Sequence, residues 1–190
     1  MRVTRTALVA AAAALALALL LAGCGSSTPG AAVTPPALEP TVVPAVSDAA
    51  LVDWLASGDF SSFAEGLRAA GLQKLFGGRG PYTLFVPDDQ AVSSISFGQL
   101  MKDLPHLKSV IQYHIIKGTN VKMTQATNGA SFTTLEGEAV TFHWVQYALV
   151  VDDTPVTQVI EGADWTIYVV YGVLTPPSLR SASPTASASP

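Results

Sequence analysis

The stretch VIQYHIIKG, residues 110–118, places a tyrosine and a histidine side by side between two runs of aliphatic residues. Pro105 precedes it and is a favourable first-turn residue, and apolar residues then recur at helical spacing. The pattern predicts a helix that begins near Pro105 and passes into a strand near Ile115. Tyr113 and His114 therefore fall at the junction between the helix and the strand.

This junction suggests a structural role for His114. Backbone donors and acceptors lack regular partners where a helix ends, and a half-buried imidazole can satisfy one of them. The other histidines, His106 and His143, do not stand at a recognised ligand spacing from it, and no cysteine lies nearby to help bind zinc. A hydrogen-bonded structural histidine is therefore favoured over a metal ligand.

Upstream of the junction the sequence is typical of helices. Ser47 is a favourable N-cap, and Asp48 places a negative charge in the first turn. Gly71 is well placed to end a second helix in a left-handed cap. Further short helices are predicted over residues 88–95 and 97–103. Four residues of the second helix share the spacing of a buried stripe: Phe60, Phe63, Ala64 and Leu67.

Downstream of the junction the hydrophobic period changes. Residues 131–160 are rich in Val, Thr and aromatic residues and are interrupted by turn signals at Glu136-Gly137 and Asp152-Asp153. The last apolar run, residues 165–174, is apolar on both faces and predicts a strand that is covered on both sides. Helices first and antiparallel strands later predict an α+β domain, with the N-terminal helices packed on a β-sandwich or wedge.

The N-terminus has the features of an export signal. Arg2 and Arg5 precede an unbroken apolar run over residues 7–22, which is short for a membrane span. The sequence Leu-Ala-Gly-Cys that ends at Cys24 resembles the lipobox of bacterial lipoproteins, in which the cysteine carries the lipid. Residues 1–23 are therefore predicted to be a signal peptide, and Cys24 the lipidated N-terminus of the mature chain.

The predicted signal peptide is followed by three further segments. Residues 24–47 contain five prolines among small residues and predict an extended, structureless tether. Residues 48–178 form one domain of ordinary size. Residues 179–190, rich in Ser, Ala and Pro, predict a disordered tail. The expected location is the cell membrane, with the domain anchored by lipid and facing the exterior or the periplasm.

Charge excludes some classes of partner. Loss of Arg2 and Arg5 with the signal leaves 8 basic residues against 14 acidic ones, a net charge of −6. An acidic surface is unsuited to nucleic acid, because phosphate binding needs a basic face. It is equally unsuited to lying flat on anionic lipid. The lipid on Cys24 is therefore expected to make the membrane attachment.

No catalytic motif stands out in the sequence. It contains no Gly-x-Ser-x-Gly elbow, no glycine-rich phosphate loop and no His-Glu-x-x-His helix. The acid pairs Asp88-Asp89 and Asp152-Asp153 lie at a helix start and a turn, where aspartate is favoured for capping. We expect no enzymatic activity, no cofactor and no metal.

Four blocks in this order resemble the fasciclin-type domain. They are GDFSSFAEGLRAAGLQKLF (58–76), GRGPYTLFVPDDQAV (78–92), LKSVIQYHIIKG (107–118) and VIEGADWTIYVVYGVLTPP (159–177). Two blocks depart from the family pattern. Val92 stands where phenylalanine is usual. The last block has Ala163-Asp164-Trp165-Thr166 where an Asn-Gly turn and a hydrophobic residue are usual, and Tyr168 where a histidine is common. The resemblance implies an adhesion or interaction module and implicates the Tyr113-His114 segment as a partner contact, which is the alternative to the structural role.

Another candidate site is the strand VTFHWVQY, residues 140–147. Phe142 and Trp144 are predicted to project from one face, while the other face carries His143 and Tyr147. A strand buried between sheet and helices is the first interpretation. The alternative is an apolar groove or patch, containing Phe142 and Trp144, that binds a partner or a small hydrophobic molecule.

Together these observations predict a lipid-anchored, non-enzymatic interaction module of a bacterial cell surface. Its partner would be an extracellular or envelope protein or polymer that the sequence does not identify. The alternative function is a binding protein for a small hydrophobic ligand.

Overall fold

The computed structural model describes residues 38–42, 48–77 and 80–181, and their elements confirm the predicted α+β order. The helices are α1 (Asp48–Ala56), α2 (Ser61–Ala69), α3 (Asp89–Ser93), α4 (Phe97–Leu100), α5 (Leu104–Tyr113) and α6 (Pro177–Ser181). The strands are β1 (Thr41–Val42), β2 (Tyr82–Pro87), β3 (Ile115–Lys117), β4 (Ser131–Thr133), β5 (Ala139–Val145), β6 (Ala148–Val151), β7 (Thr154–Glu161) and β8 (Trp165–Val170). The predicted signal peptide, Cys24 and Ser47 lie outside the described residues.

The helix α2 follows its sequence pattern closely. The predicted stripe of Phe60, Phe63, Ala64 and Leu67 is buried. Gly71 takes the left-handed conformation, φ +71°, that favours glycine after a helix end. The next residue, Leu72, folds back so that its N–H donates to the Leu67 carbonyl at 2.9 Å. This cap stops the helix and turns the chain back toward the sheet.

The strands form one sheet in the order β3-β2-β8-β7-β6-β5-β4, and β1 pairs with β7. The consecutive strands β4 to β8 are antiparallel, as the sequence predicted. In contrast, β2 and β8 pair in parallel, which the sequence pattern did not predict. Every residue of these two central strands is buried, because other elements cover both faces of the sheet there.

The two faces of the central strands belong to two hydrophobic clusters. Leu84 and Ile167 face the helices α1, α2 and α5, whose apolar side chains complete the first cluster. Phe85 and Tyr168 face the opposite way, into a second cluster enclosed by β5, β6 and β7. Tyr113 belongs to this second cluster although it ends α5, so the helix-to-strand junction links the two halves of the core.

Two predicted segment boundaries need correction. Thr41–Val42, predicted to be part of a structureless tether, pairs in parallel with Ile160 and Glu161 of β7. The helix α6 ends at Ser181, whereas residues 179–190 were predicted to be a disordered tail. The Arg180 guanidinium lies 2.9 Å from an oxygen of Asp153. Backbone pairing thus holds β1 and an exposed ion pair links α6 to the β6–β7 turn, although neither segment carries the hydrophobic pattern of a core element.

None of the helices within the described ranges combines the length and apolarity that crossing a bilayer requires.

Candidate functional site

His114 lies at the end of α5 and is fully buried. Its Nε2 accepts a hydrogen bond from the Leu174 N–H at 3.0 Å, so Nδ1 carries the proton and donates to the Val110 carbonyl at 2.7 Å. The Phe63 ring packs against the imidazole, with 5.6 Å between ring centroids. The side chain thus satisfies one carbonyl left open at the helix end and one donor of the C-terminal segment.

Burial also determines the charge of this imidazole. It lowers the pKa of His114 to about 4, and the hydrogen bond to the Val110 carbonyl offsets only part of the effect. The ring is therefore neutral at physiological pH. A neutral imidazole with both nitrogens bonded to backbone has no free nitrogen to act as a base or a metal ligand.

Tyr113, the other half of the pair, faces the opposite side of the junction. Its hydroxyl donates to Asp152 Oδ2 at 2.8 Å and lies 3.1 Å from the Ala139 carbonyl oxygen. The second oxygen of Asp152 accepts the Thr141 N–H at 2.9 Å. Burial, and after it the hydrogen bond to Asp152, raises the pKa of Tyr113 above its usual range. The pair Asp152-Asp153 is thus more than a turn signal, because Asp152 ties α5 to the β5–β6 hairpin.

His114 is hydrogen-bonded within the fold, as the structural interpretation expects, but the imidazole is fully buried rather than half-buried. The side chains of Tyr113 and His114 belong to residues that are 1% and 0% exposed. His114 is enclosed within the fold, whereas Tyr113 also lines a small cleft of about 260 Å³ with Asp152, Asp153 and Arg180.

The acid pair at α3 is also used within the fold. Asp88 caps the helix by accepting the Ala91 N–H at 2.6 Å. Asp89 accepts from the Ser61 hydroxyl at 2.7 Å and the Ser62 N–H at 2.8 Å. Partial burial acts to raise the pKa of Asp89, but these hydrogen bonds outweigh it and hold the pKa below its usual value. Each carboxylate fixes a helix start.

A cleft of about 500 Å³ lies beside this pair, lined by Asp59, Phe60, Asp88, Asp89, Gln90, Thr157, Gln158 and Val169. Its carboxylates do not form a metal site. Among the residues that the structure describes, no group of three or more His, Cys, Asp or Glu side chains is arranged to hold a metal ion.

Phe142 and Trp144, predicted to share an apolar face, have different environments. Phe142 is fully buried in the second cluster, with ring centroids 5.2 Å from Tyr168, 5.8 Å from Phe85 and 5.8 Å from Phe132. Trp144 is 39% exposed, and its indole N–H donates to the Ala126 carbonyl at 2.8 Å. Phe142 is thus a core residue, and only Trp144 lies at the surface.

The turn between β5 and β6 carries a cluster of exposed apolar side chains. Residues 143–148, here called the aromatic tip, are all exposed. Val145 is 57% exposed and Tyr147 is 72% exposed. Gln146 takes φ +57°, a left-handed conformation that costs about 1 kcal/mol for a residue with a side chain. The first interpretation of this strand, burial on both faces, is therefore wrong for its last residues.

Val145 and Tyr147 were predicted to lie on this strand but were not among the candidate site residues. The sequence feature that could have indicated them is an absence of charge rather than a motif. Residues 139–151 and the neighbouring residues 123–135 contain no Asp, Glu, Lys or Arg. The Asn128 side chain accepts a hydrogen bond from the backbone N–H of Trp144 at 3.1 Å and so joins the two uncharged segments.

The family of the chain follows from its sequence. The sequence model of the fasciclin domain matches residues 58–176, more than half of the chain. The chain belongs to the fasciclin domain family. The matched region includes the Tyr113-His114 junction and the aromatic tip, whereas β1, α1 and α6 lie outside it.

The chain is similar in sequence to proteins from an animal and from a bacterium. Mouse stabilin-1 is 25% identical over 128 residues, which is 63% of this chain but only 5% of stabilin-1. Protein sll1483 of the cyanobacterium Synechocystis is 26% identical over 124 residues, 62% of this chain and 68% of that protein. The chain thus corresponds to a small part of the large animal relative and to most of the bacterial one.

A solved structure has the same fold. It is a FAS1 domain pair from the insect cell adhesion molecule fasciclin I, with a TM-score of 0.55 and 16% sequence identity. The match covers 67% of this chain and 51% of that one. At this identity the likeness establishes the fold alone.

Proposed function

We propose that this fasciclin domain protein is an exported, non-enzymatic interaction module of the adhesion type, anchored to a bacterial membrane by lipid on Cys24. The observation that carries the proposal is the use of every candidate catalytic side chain as a structural contact. His114, Tyr113, Asp88, Asp89 and Asp152 all have partners within the fold. A domain with this pattern acts through its surface.

The family supports the adhesion part of the proposal, because the solved relative is described as part of a cell adhesion molecule. The sequence of residues 1–24 supports the anchored part, through its basic start, apolar run and lipobox-like end. The partner would be an extracellular or envelope protein or polymer. An acidic surface does not favour nucleic acid.

The alternative function, a carrier of a small hydrophobic molecule, has less support. Phe142, one of the two residues expected to line its groove, is fully buried among three other aromatic rings. Trp144 lies at the surface of a hairpin rather than inside a cavity. Native mass spectrometry of the protein from its host tests this alternative, because a carrier would retain a co-purifying molecule.

The proposal is tested in two independent steps. Intact-mass measurement of the protein from host membranes should give a chain that begins at Cys24 with a diacylglyceryl group. Host cells that lack the protein should lose attachment to a surface that wild-type cells bind, and the wild-type gene should restore it.

A Cys24→Ser variant is the matched control, because it leaves every described residue unchanged. It should lack the diacylglyceryl mass and fail to restore attachment. An unmodified Cys24 would overturn the anchor. Normal attachment without the protein, on every surface that wild-type cells bind, would overturn the adhesion role.

A further inference from the structure

The aromatic tip differs from the rest of the surface in both charge and shape. Trp144, Val145 and Tyr147 stand together at the end of a two-stranded hairpin, exposed by 39%, 57% and 72%. Most of the surface of a soluble protein exposes large apolar side chains singly. Three of them at one projecting turn, held partly by a left-handed Gln146, indicate a surface that something covers in the working protein.

The side chains at the tip suit an interface between water and lipid. Tryptophan and tyrosine combine an apolar ring with one polar atom, and both are enriched where membranes meet water. The Trp144 ring is fixed in place, because its indole N–H donates to the Ala126 carbonyl. The ring can therefore enter an apolar environment without leaving its donor unsatisfied.

The lack of charge around the tip indicates which kind of surface covers it. The chain carries 14 acidic and 10 basic residues, yet none of them falls in residues 139–151, which are the tip and its two strands, or in the neighbouring residues 123–135. A charged polymer or a charged protein surface would be matched by charges here. An uncharged, aromatic hairpin on an acidic protein fits the interface of a zwitterionic bilayer.

The described start of the chain joins the same part of the fold as the hairpin strands. β1 pairs in parallel with β7 at Ile160 and Glu161, and β6 pairs antiparallel with β7 at Thr154 and Pro155. Leu38 packs against the second cluster, to which β5 and β6 contribute Phe142 and Leu149.

The pairing of β1 limits the length of chain between Cys24 and the fold. The sequence alone predicted a free tether over residues 24–47. With residues 38–42 held on the fold, 13 residues lie between Cys24 and Leu38. A chain of that length spans at most about 45 Å. A lipid on Cys24 would thus hold the domain within about that distance of the bilayer.

We propose that three side chains of the aromatic tip, Trp144, Val145 and Tyr147, insert shallowly into the zwitterionic interface of the membrane to which the chain is anchored. This inference rests on the lipid anchor of the proposed function. Insertion stops at the interface, because the turn backbone has polar groups that hydrocarbon cannot satisfy. It orients the domain, with the tip toward the lipid and the helical layer free for an external partner.

Tryptophan fluorescence of the vesicle-bound protein tests whether the tip enters lipid. The test does not depend on a lipid at Cys24. The chain from residue 25 to its end, with an N-terminal histidine tag, is attached to phosphatidylcholine vesicles through a nickel-chelating lipid. Brominated phosphatidylcholine quenches tryptophan only at short range. Trp165 is 1% exposed and Trp54 packs against the first cluster, so quenching should come from Trp144.

Three variants show which tryptophan gives the signal and whether the tip is responsible for it. Trp144→Phe should lose the quenching, which assigns the signal. Val145→Asp keeps Trp144 but places a charge in the tip, and should reduce quenching to the level of unbrominated vesicles. Leu104→Asp is the matched control, because Leu104 is 54% exposed at the start of α5 and should leave the quenching unchanged. Anionic phosphatidylserine should add nothing, because the tip has no Lys or Arg.

Vesicle-bound wild-type protein without quenching would overturn the tip proposal, and so would quenching that survives Val145→Asp. Quenching that persists in Trp144→Phe would place the helical layer against the lipid and would overturn it as well. The mass of the native N-terminus is a separate measurement. An unlipidated Cys24 with a quenched tip would refute the anchor alone, whereas a lipidated Cys24 with an unquenched tip would refute the tip alone.

Discussion

The Tyr113-His114 junction and the aromatic tip both carry aromatic side chains, yet they have opposite environments. The junction is buried, and the Tyr113 hydroxyl and both His114 ring nitrogens have partners within the chain. The tip is exposed, has no Asp, Glu, Lys or Arg, and is held in part by a strained turn. The segment that identifies the family is therefore a structural element here, and the exposed surface lies in a hairpin without a motif. This contrast predicts large effects of substitutions at the junction and small ones at the tip.

The largest expected effect is the loss of stability in His114→Ala. The substitution leaves the Leu174 N–H and the Val110 carbonyl unpaired inside the core and opens a cavity beside Phe63. We expect the free energy of unfolding to fall by about 4 kcal/mol. Urea denaturation measures it, and His143→Ala, at an exposed site of the tip, should stay within about 0.5 kcal/mol of wild type.

The second effect is a dependence of stability on pH. The folded pKa of His114 is about 4, below its usual value of 6.5, so between these values the unfolded chain binds the proton first. Stability should be independent of His114 above pH 6.5 and should fall by about 3 kcal/mol as the pH is lowered to 4. Denaturation at several pH values measures this slope.

The pH prediction has a direct control in His114→Gln, which has no titratable group at this position. Its stability should vary much less between pH 6.5 and 4. An equally steep slope in the variant would mean that His114 is not the group that titrates.

A smaller effect is expected for Tyr113→Phe. It removes the hydroxyl that donates to Asp152, a charged acceptor, and should cost about 2 kcal/mol. Tyr168→Phe is the matched comparison, because its buried hydroxyl donates to the neutral Val121 carbonyl and should cost about 1 kcal/mol. Thermal or urea denaturation of both variants measures the difference. Equal losses of unfolding free energy would mean that the charge of Asp152 adds no stability to this hydrogen bond.

The smallest effect on stability is expected at the tip itself. Val145→Ser should change the free energy of unfolding by no more than about 0.5 kcal/mol, because the side chain is more than half exposed. Phe142→Ala, three residues earlier on the same strand, should cost about 4 kcal/mol. A large loss in Val145→Ser would show that the tip is part of the core and would remove the contrast.

Local patterns in the sequence were sufficient for much of the fold. The stripe from Phe60 to Leu67, the left-handed Gly71 and the cap at Asp88 depend on neighbouring residues, and all three were predicted. Long-range pairing could not be predicted in the same way. The parallel alignment of β2 with β8 and of β1 with β7 depends on residues far apart in the chain, and Thr41–Val42 has no core pattern of its own.

The candidate site was only partly predictable, for the same reason. A strand with aromatic residues on both faces predicts burial, but β5 extends beyond the cluster that covers Phe142. Whether Trp144 and Val145 are exposed depends on how far the hairpin extends beyond the core. The alternation of side chains along a strand does not predict how far it extends. The contact between Tyr113 and Asp152 likewise joins residues that only the folded chain brings together.

The most direct test of the contrast is hydroxyl-radical footprinting of the protein on intact cells and of the purified protein in solution. Trp144 and Tyr147 should be oxidised in solution and protected on cells, Tyr171, 59% exposed, should be oxidised in both, and Tyr113 in neither. Full oxidation of the tip on cells, or protection of Tyr171 instead, would contradict the account.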